Sequence, residues 1–228
     1  SDGSYTYTAD AAKLRLLGQG NQASEAFDYT VSDNHGATAN STLTITVDGL
    51  NVAPVAAADA ATVTEDGPAA SGNVLANDTD GNPTDTLTVA NAGTQAGTLG
   101  SLQLAQDGSY TYTLANASQA VQALPAGQTV TETFAYTATD NHGATATAEL
   151  QVVVHGANDG PLAQADSAAA DSATLQATGT VLANDSDIDT GDVLTVTTAG
   201  TLAGTYGNLQ LASDGSYTYT ADAAKLRL

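Results

Sequence analysis

Apolar and polar residues alternate with a period of two through most of the chain. The alternation is clearest in TLTVA (86–90), SYTYTL (109–114), ETFAYTAT (132–139) and ATAELQVVV (146–154). Thr, Val and Tyr at alternating positions favour strands that bury one face. The dipeptide Asp107-Gly108 lies just before one of these segments and is typical of a hairpin turn. The pattern therefore predicts a protein built from short, paired strands.

Seven such strands are predicted between residues 53 and 157. They lie near 55–64, 70–75, 86–90, 99–104, 109–114, 130–139 and 144–154. Seven short strands in about 100 residues are typical of an immunoglobulin-like β-sandwich with Greek-key connections. Residues 9–17 and 115–124 have a brief helical pattern. We therefore predict an all-β protein made of tandem immunoglobulin-like sandwiches, with about seven strands per module.

A long internal repeat organises the chain. Residues 1–16 and 213–228 are identical, and DNHGATA occurs at both 33–39 and 140–146, an offset of 107 residues (140 − 33). Units of this length fold as separate domains in an array. We predict the C-terminal part of a module at 1–52, a complete module at 53–157 and the N-terminal part of the next module at 158–228. Because the chain starts at Ser1 and not at Met, we expect it to be a piece of a longer array of adjacent, identical repeats.

The charge of the chain is strongly one-sided. It has 25 acidic and 4 basic residues, which give a formal net charge of −21. Such a chain repels phosphate, so we expect no nucleic-acid binding. No run of residues approaches the ~18 apolar positions of a membrane-spanning helix, so we expect no membrane insertion. The absence of cysteine excludes disulfides and zinc–thiolate sites.

The acidic residues are concentrated in loops at the predicted ends of the modules. If each strand runs the length of a sandwich, successive loops alternate between its two ends. Loops 77–85, 106–108 and 140–143 then lie beside the incoming linker, which adds Asp48 and Asn51. At the opposite end, one loop and the outgoing linker supply four further polar residues, namely Glu65, Asp66, Asn158 and Asp159.

Two loops space their oxygen ligands as a hard cation requires. The ligands recur every two or three residues, and they are Asp78, Asp80, Asn82 and Asp85 in one loop and Asp185, Asp187, Asp189 and Asp192 in the other. Every Lys and Arg lies within 13–15 or 225–227, so the complete module cannot pair its carboxylates with basic residues of its own. Ca²⁺ takes roughly six to eight oxygen ligands, whereas Mg²⁺ demands stricter octahedral geometry. The sequence therefore predicts Ca²⁺ sites, with weaker binding where Asn82 replaces a carboxylate.

Turn formation is the alternative explanation, because Asp and Asn suit tight turns without any metal. It is sufficient for Asp107 and Asp214, which lie in Asp-Gly hairpins. Turn formation does not, however, require four acidic or amide residues in one loop. For Glu65, Asp66 and Asp140 both explanations stay open, and we include all three, with Asp48, among the candidate metal ligands.

Several motifs, in this order, resemble a known family of repeats. VLANDTD, LQLAQDGSYTYT, FAYTATDNHGATATAELQVVV and an NDGP linker are similar to the VCBS, or cadherin-like (bacterial Ig-like), extender repeats of RTX adhesins secreted by a type I system. The resemblance implies Ig-like sandwiches that calcium stiffens into a spacer. It also implies calcium ligands at Asp78, Asp80 and Asp85, at the four acids of 185–192, and at the pair Asn158-Asp159. The first linker reads GLNVAP and departs from the Asn-Asp pair, so that junction would hold fewer ions.

These observations predict a calcium-rigidified structural extender of a large bacterial surface adhesin, projecting adhesive domains for attachment or biofilm formation. The resemblance places it outside the cell, on the surface of a Gram-negative bacterium. The alternative is a module that itself binds carbohydrate or another cell-surface ligand. We expect no enzyme, because no motif brings a nucleophile beside a base. Because segments 158–228 and 1–52 carry different strands of one module, we also consider head-to-tail association of chains.

Overall fold

The computed structural model describes residues 3–171 and 173–226 of the 228. Residues 1, 2, 172, 227 and 228, which belong to the predicted segments 1–52 and 158–228, lie outside the described residues. The chain forms two compact units. The first reaches Val63 and adds Pro68–Leu114 and Thr131–Val153, and the second contains Thr64–Gly67, Ala115–Val130 and the residues from Val154 onward. The module boundaries after residues 52 and 157 stay predictions. The helices in the described ranges are too short and too polar to cross a membrane.

A short helix and a hairpin come first in the described chain. Helix α1 spans Ala11–Leu17 and is capped by Asp10, whose side chain accepts a hydrogen bond from the N–H of Ala12. This cap explains why the brief helical pattern at 9–17 folds as a helix. Strands β1 (Gln22–Ser32) and β2 (Thr38–Asp48) then pair antiparallel along their whole length.

Residues 53–157 are called the central interval. Their strands form two four-stranded sheets. The first sheet has the order β3 (Asp59–Thr64), β10 (Thr145–His155), β9 (Thr129–Thr139) and β5 (Thr88–Val89). The second has the order β4 (Ala70–Asn73), β8 (Ser109–Leu114), β7 (Gly100–Leu104) and β6 (Gly93–Ala96). Helix α2 (Gln119–Gln122) lies between β8 and β9. The predicted all-β fold class is confirmed.

Strand β6 is the element that the pattern did not predict. Its sequence GTQA has no apolar alternation, and Gly93 adopts a φ of +142°. The strand forms by pairing with β7, in which Gly93 lies opposite Leu104. A partner, and not its own sequence, therefore determines this strand. The strand predicted at 86–90 is correspondingly shorter, and only Thr88–Val89 pairs with β9.

Alternation along the strands builds the buried core. Every second residue of β8 is buried, and the ring of Tyr112 packs against that of Phe134 with 5.8 Å between centroids. Burial of one such side chain contributes about 1.5–3 kcal/mol. The other buried apolar residues are Val63, Val74, Val89, Leu99, Leu102, Leu104, Tyr110, Leu114, Val121, Leu124, Tyr136, Ala138, Leu150, Val152 and Val154.

One carboxylate is buried beside this core. Glu132 accepts hydrogen bonds from the N–H groups of Thr98 and Leu99 and from the hydroxyl of Tyr112. Burial raises the pKa of Tyr112, and the hydrogen bond to Glu132 raises it further. The turn between β6 and β7 is thereby tied to β9.

The last described elements form a third four-stranded sheet. Its order is β11 (Gln176–Thr180), β14 (Ser216–Ala221), β13 (Gly207–Leu211) and β12 (Gly200–Ala203). Subtracting 107 from these ranges gives residues 69–73, 109–114, 100–104 and 93–96, which are the positions of β4, β8, β7 and β6. We call residues separated by 107 positions counterparts.

Candidate metal centres

Three carboxylates converge beside the linker that follows the first hairpin. Asp80 and Asp85 belong to the loop between β4 and β5, and Asp140 directly follows β9. One carboxylate oxygen of each residue lies within 4.8 Å of the other two. We call these three residues the first acidic cluster.

Three hydrogen bonds fix Asp140 in this cluster. Asp140 Oδ1 accepts from the N–H groups of His142 and Ala144, both at 2.9 Å, and Oδ2 accepts from Asn51 Nδ2 at 2.9 Å. Burial raises the pKa of Asp140, but these hydrogen bonds outweigh it and leave the pKa below its ordinary value. Asp140 therefore stays ionised at neutral pH.

Oxygens of the first cluster and of Asn51, which contacts it, are buried without a hydrogen-bond partner among the described residues. They are Asp80 Oδ2, Asp85 Oδ2 and Asn51 Oδ1. A buried polar atom left unpaired costs roughly 1–3 kcal/mol, and a charged one costs more. His142 Nε2 is 3.4 Å from the other oxygen of Asp85. Carboxylate and amide oxygens are the ligands that a hard divalent cation prefers, so these residues fit such an ion.

Asn82 lies in the same loop, but its side chain holds the linker. It is 1% exposed, and Oδ1 accepts from the N–H of Val52 at 2.7 Å. Nδ2 donates to the carbonyl oxygens of Arg15 and Leu50, each at 2.7 Å. A carboxylate could not replace this amide, because it has no N–H to donate. Whether Asn82 also ligates a metal stays a prediction.

A second acidic cluster lies in the counterpart loop, where Asp187 and Asp192 are the counterparts of Asp80 and Asp85. One carboxylate oxygen each of Asp187, Asp189 and Asp192 lies within 4.8 Å of the others. The N–H of Asp189 donates to Asp187 Oδ1 at 3.0 Å, as the N–H of Asn82 donates to Asp80 Oδ1 at 2.7 Å. The loop geometry is therefore repeated, with the charged Asp189 in place of the neutral Asn82.

Acids from other segments extend the second cluster. Glu65 is buried, and its two oxygens accept from the N–H of Ala157 and from Gln122 Nε2, each at 3.0 Å. Gln122 Nε2 also donates to Asp66 Oδ1 at 3.2 Å. The N–H of Asp159 donates to Asp189 Oδ2 at 2.8 Å. The loop after β3 and the linker 155–161 thus meet.

These acids repel one another. Burial raises the pKa of Glu65, and the carboxylates of Asp159, Asp66 and Asp189 raise it further. Burial also raises the pKa of Asp159, and so do Asp189, Asp66 and Asp187. In both groups burial and the neighbouring carboxylates disfavour the ionised form.

The second cluster also contains unpaired buried oxygens, Asp159 Oδ2 and Asp189 Oδ1, which accept no hydrogen bond from any described residue. The nearest Lys and Arg in sequence are residues 13–15 and 225–227. Carboxylates with unpaired oxygens are the donor set that a hard divalent ion prefers. The second cluster therefore fits such an ion as well as the first does.

Asp78 and its counterpart Asp185 belong to neither group of three. Asp78 Oδ1 accepts from the N–H of Ala57 at 2.8 Å and from the Tyr136 hydroxyl at 3.0 Å. Asp185 Oδ1 accepts from the N–H of Gln164 at 2.8 Å. Their carboxylates tie the start of each sandwich to its acidic loop, and their metal binding stays a prediction.

Asp48 and Asn158 also make other contacts. Asp48 ends β2, and its Oδ1 accepts from Gln22 Nε2 at 2.7 Å across the hairpin. Asn158 Nδ2 donates to the carbonyl oxygen of Asp159. Neither residue belongs to the groups of three carboxylates, and their roles as ligands likewise stay predictions.

Two residues at these sites were not among the predicted ligands. Asn51 has an unpaired buried oxygen in the first cluster, and as the counterpart of Asn158 (158 − 107) it was recognisable from the repeat. Gln122 bridges Glu65 and Asp66 from α2, and no sequence signal marks it.

Family models match nearly the whole chain. The model for the bacterial cadherin-like domain matches residues 51–156 and 158–226, and the model for the bacterial Ig domain matches residues 1–46.

One relative and one solved structure are similar to this chain. The calcium-binding lectin RapA2 of Rhizobium johnstonii is 35% identical over 150 residues, which cover 59% of this chain and 60% of RapA2. The solved structure of PcdhgB3 EC1-4 has a TM-score of 0.54 at 15% identity, over 95% of this chain and 51% of that one. The chain therefore spans less than two thirds of either protein, and the second likeness shows the fold alone.

The resemblance carried by the motifs VLANDTD and DGSYTYT is thus confirmed at the level of cadherin-like and Ig-like domains. The match to the family model agrees with the order of the strands in the sheets and with the acidic loops that recur along the chain. The chain belongs to the family of bacterial cadherin-like domains.

Proposed function

We propose that this chain is a calcium-rigidified extender segment of a large bacterial surface adhesin. The observation that carries the proposal is the position of the two acidic clusters. Each one joins a linker to the loops of a predicted module, and each contains buried oxygens without a hydrogen-bond partner. These are the positions where an ion would restrain one module against the next.

Electrostatics gives the direction of the effect. Without a cation, Glu65, Asp159 and Asp189 repel one another across the second junction. Bound Ca²⁺ supplies the positive charge and the oxygen coordination that these loops lack. Extracellular modules commonly bind Ca²⁺ with dissociation constants of about 10⁻⁴–10⁻³ M, so the junctions would be loaded outside a cell.

The residues of the chain have separate tasks in this proposal. Asp80, Asp85 and Asp140 would hold an ion at the first junction, and Asn51 would add its amide oxygen. Asn82 fixes the linker whether or not an ion is bound, because its three hydrogen bonds involve only protein atoms. The first junction is therefore partly preformed.

At the second junction the oxygens of Asp187, Asp189 and Asp192 would hold an ion together with Asp159 and Glu65. No amide replaces the charge of Asp189 here, and the surrounding acids outnumber those of the first cluster. We therefore expect the second junction to depend on Ca²⁺ more strongly and to bind it more tightly.

The wider setting of the proposal follows from the same features. A spacer of this kind acts in a secreted or surface-exposed protein of a Gram-negative bacterium, beside further copies of the same repeat. Support comes from the repeat itself and from the likeness to RapA2. Export by a type I system and a role in biofilm formation belong to this proposal.

Calorimetry combined with small-angle scattering tests the proposal. We expect Ca²⁺ to raise the melting temperature, to bind at both junctions and to narrow the distribution of maximum dimensions measured by scattering. Asp189→Asn should remove the tighter binding phase, whereas Asp214→Asn, in an Asp-Gly turn outside both clusters, should not. Identical scattering curves in Ca²⁺ and in chelator would refute the stiffening role.

Carbohydrate binding is the second candidate function. It is favoured by one observation, the 35% identity to a protein named a calcium-binding lectin. A glycan array probed with the chain in Ca²⁺ and in chelator separates the two proposals. Calcium-dependent binding to a defined glycan would support the lectin function, and an array without signal would leave the spacer function as the better account.

A further inference from the structure

A histidine nitrogen lies beside the carboxylates of the first acidic cluster. Within the central interval, His142 belongs to the turn between β9 and β10 and follows Asp140 by two residues. Its Nε2 is 3.4 Å from Asp85 Oδ1, and its side chain is 24% exposed. The imidazole therefore contacts the cluster on one side and is open to solvent on the other.

The turn holds this imidazole in place. The backbone N–H of His142 donates to Asp140 Oδ1 at 2.9 Å. Asn141 Oδ1 accepts from the N–H of Thr86 at 3.1 Å, and Asn141 Nδ2 is 3.3 Å from His142 Nε2. Backbone and side-chain contacts thus both keep the ring beside Asp85.

The ring nitrogen has no short contact with these two neighbours. Its distances to Asn141 Nδ2 and Asp85 Oδ1 are 3.3 and 3.4 Å. A normal hydrogen bond of nitrogen spans about 2.7–3.2 Å. A hydrogen-bonded ion pair between His142 and Asp85 is the alternative explanation, but charge-assisted contacts of this kind close to about 2.7–2.9 Å. Neither neighbour therefore gives Nε2 a full hydrogen bond.

Asp85 is the second observation that points to a bound cation. Its side chain is only 1% exposed, and its Oδ2 has no hydrogen-bond partner among the described residues. Asp80 Oδ2 is buried and unpaired in the same way, and carboxylate oxygens of the two residues lie within 4.8 Å of each other. A charged oxygen that is shielded from water and left unpaired is costly, and a cation between these groups removes that cost.

The distance between nitrogen and oxygen matches a first-row transition metal. Zn–N bonds of about 2.0–2.1 Å and Zn–O bonds of about 2.0–2.2 Å place neighbouring ligands of a tetrahedral ion roughly 3.3–3.5 Å apart. The 3.4 Å between His142 Nε2 and Asp85 Oδ1 lies in this range. Imidazole nitrogen is a preferred ligand of Zn²⁺, Ni²⁺ and Cu²⁺, whereas Ca²⁺ takes oxygen ligands.

We propose that the first acidic cluster also binds a first-row transition-metal dication, through His142 Nε2 and the carboxylates of Asp85 and Asp80. This inference rests on the proposed function for the position of the site, because the same carboxylates would hold Ca²⁺. His142 would add the nitrogen ligand that Ca²⁺ does not use. Asp140, whose two oxygens already accept hydrogen bonds, would hold the turn in position.

Isothermal calorimetry with Zn²⁺ on the untagged chain, in buffer without Ca²⁺, tests the proposal. The unaltered chain should bind Zn²⁺. His142→Ala should weaken the tightest phase of Zn²⁺ binding at least about 10-fold, since the loss of even an indirect partner of a metal ligand weakens binding roughly 10–100-fold. A separate Ca²⁺ titration of the same variant should match that of the unaltered chain.

His35→Ala is the matched control. His35 lies in the same sequence DNHG, and its N–H donates to Asp33 Oδ1 at 2.9 Å. The groups of three carboxylates found among the described residues do not include Asp33. This variant loses the same side chain and should bind Zn²⁺ like the unaltered chain. A chain that does not bind Zn²⁺, or whose binding His142→Ala leaves unchanged or both variants weaken equally, would overturn the proposal.

Nitrogen NMR of the chain labelled at its three histidines identifies the ligand directly. Zn²⁺ should shift the Nε2 resonance of one imidazole, and that resonance should be missing from the spectrum of His142→Ala. A shift confined to another histidine would overturn the proposal. Zn²⁺ binding that depends on His142 in a chain that does not bind Ca²⁺ would refute the calcium proposal alone. The reverse result would refute only the transition-metal site.

Discussion

Placing a carboxylate at position 82 should destabilise the first junction when calcium is absent. Asn82→Asp keeps the acceptor for the N–H of Val52 but removes the donors to the carbonyl oxygens of Arg15 and Leu50. Two lost hydrogen bonds cost about 2 kcal/mol, and a buried carboxylate held against two carbonyl oxygens adds roughly 1–3 kcal/mol. The free energy of unfolding should fall by about 3–5 kcal/mol in chelator.

Differential scanning calorimetry in chelator measures this loss. A fall of that size lowers the melting temperature of a small domain by more than about 10 °C. Asn34→Asp is the control, because Asn34 is an exposed turn residue in the same unit and gains the same charge. Calcium should recover part of the loss in Asn82→Asp, since the new carboxylate would add a charged ligand to the cluster.

The reciprocal exchange completes the test. Asp189→Asn removes one of the carboxylates that raise the pKa of Glu65 and Asp159, so stability in chelator should rise by on the order of 1 kcal/mol. The same variant should gain less stability from Ca²⁺ than the unaltered chain. If both exchanges left the melting temperature in chelator unchanged, the hydrogen bonds of Asn82 and the repulsion around Asp189 would not have the roles assigned here.

Three further predictions concern the framework of the sites. Tyr112→Phe removes one hydrogen-bond donor from the buried Glu132, so the free energy of unfolding measured in urea should fall by about 1.5–3 kcal/mol. The control Tyr5→Phe, at an exposed position, should leave it unchanged. Gly100→Ala should lower the free energy of unfolding by at least about 2 kcal/mol in the same assay, because the new Cβ would lie 2.5 Å from the carbonyl oxygen of Thr113. The control Gly160→Ala, at a position with open space around it, should change that free energy little. The hydrogen bonds from Ser109 hold the pKa of Asp107 below its ordinary value. The stabilisation by the Asp107 carboxylate is therefore present above the pKa that this group has in the unfolded chain, and it is lost as the pH falls through the pKa of the folded protein. Asp107→Ala should therefore reduce the loss of stability on acidification below about pH 4, and parallel pH profiles for the two proteins would contradict this reasoning.

The longest strands were the most predictable. Both β9 and β10 begin and end within one residue of the predicted ranges 130–139 and 144–154, because alternating Thr, Val and Tyr persist through eleven residues. Strand β6 has no such pattern and depends on pairing with β7. A short edge strand of this kind is a property of the sheet, and residue-by-residue propensity does not encode it.

The acidic sites were predictable to the level of the loop. The spacing of the acids and the alternation of loop ends pointed to 77–85 and 140–143, and the structure brings Asp80, Asp85 and Asp140 together. Within the same loop Asp78 accepts hydrogen bonds from Ala57 and Tyr136, and Asn82 accepts one from Val52 in the linker. Residues spaced by two in an irregular loop do not share a face as they would in a strand, so spacing alone cannot tell which acids converge and which bind other parts of the chain.

The sequence was enough to predict the strands, the Asp-Gly turns and the 107-residue repeat. The strands and turns are expressed within a few neighbouring residues, and the repeat is visible as direct identity between segments. Tertiary contacts decided which oxygens face one another, which groups the Asn82 amide holds and which apolar face is exposed. Asn51 contacts Asp140 across 89 positions and Asn82 contacts Arg15 across 67. Contacts of that range arise only when whole strands pack, because packing fixes the distance between loops that the chain itself leaves free.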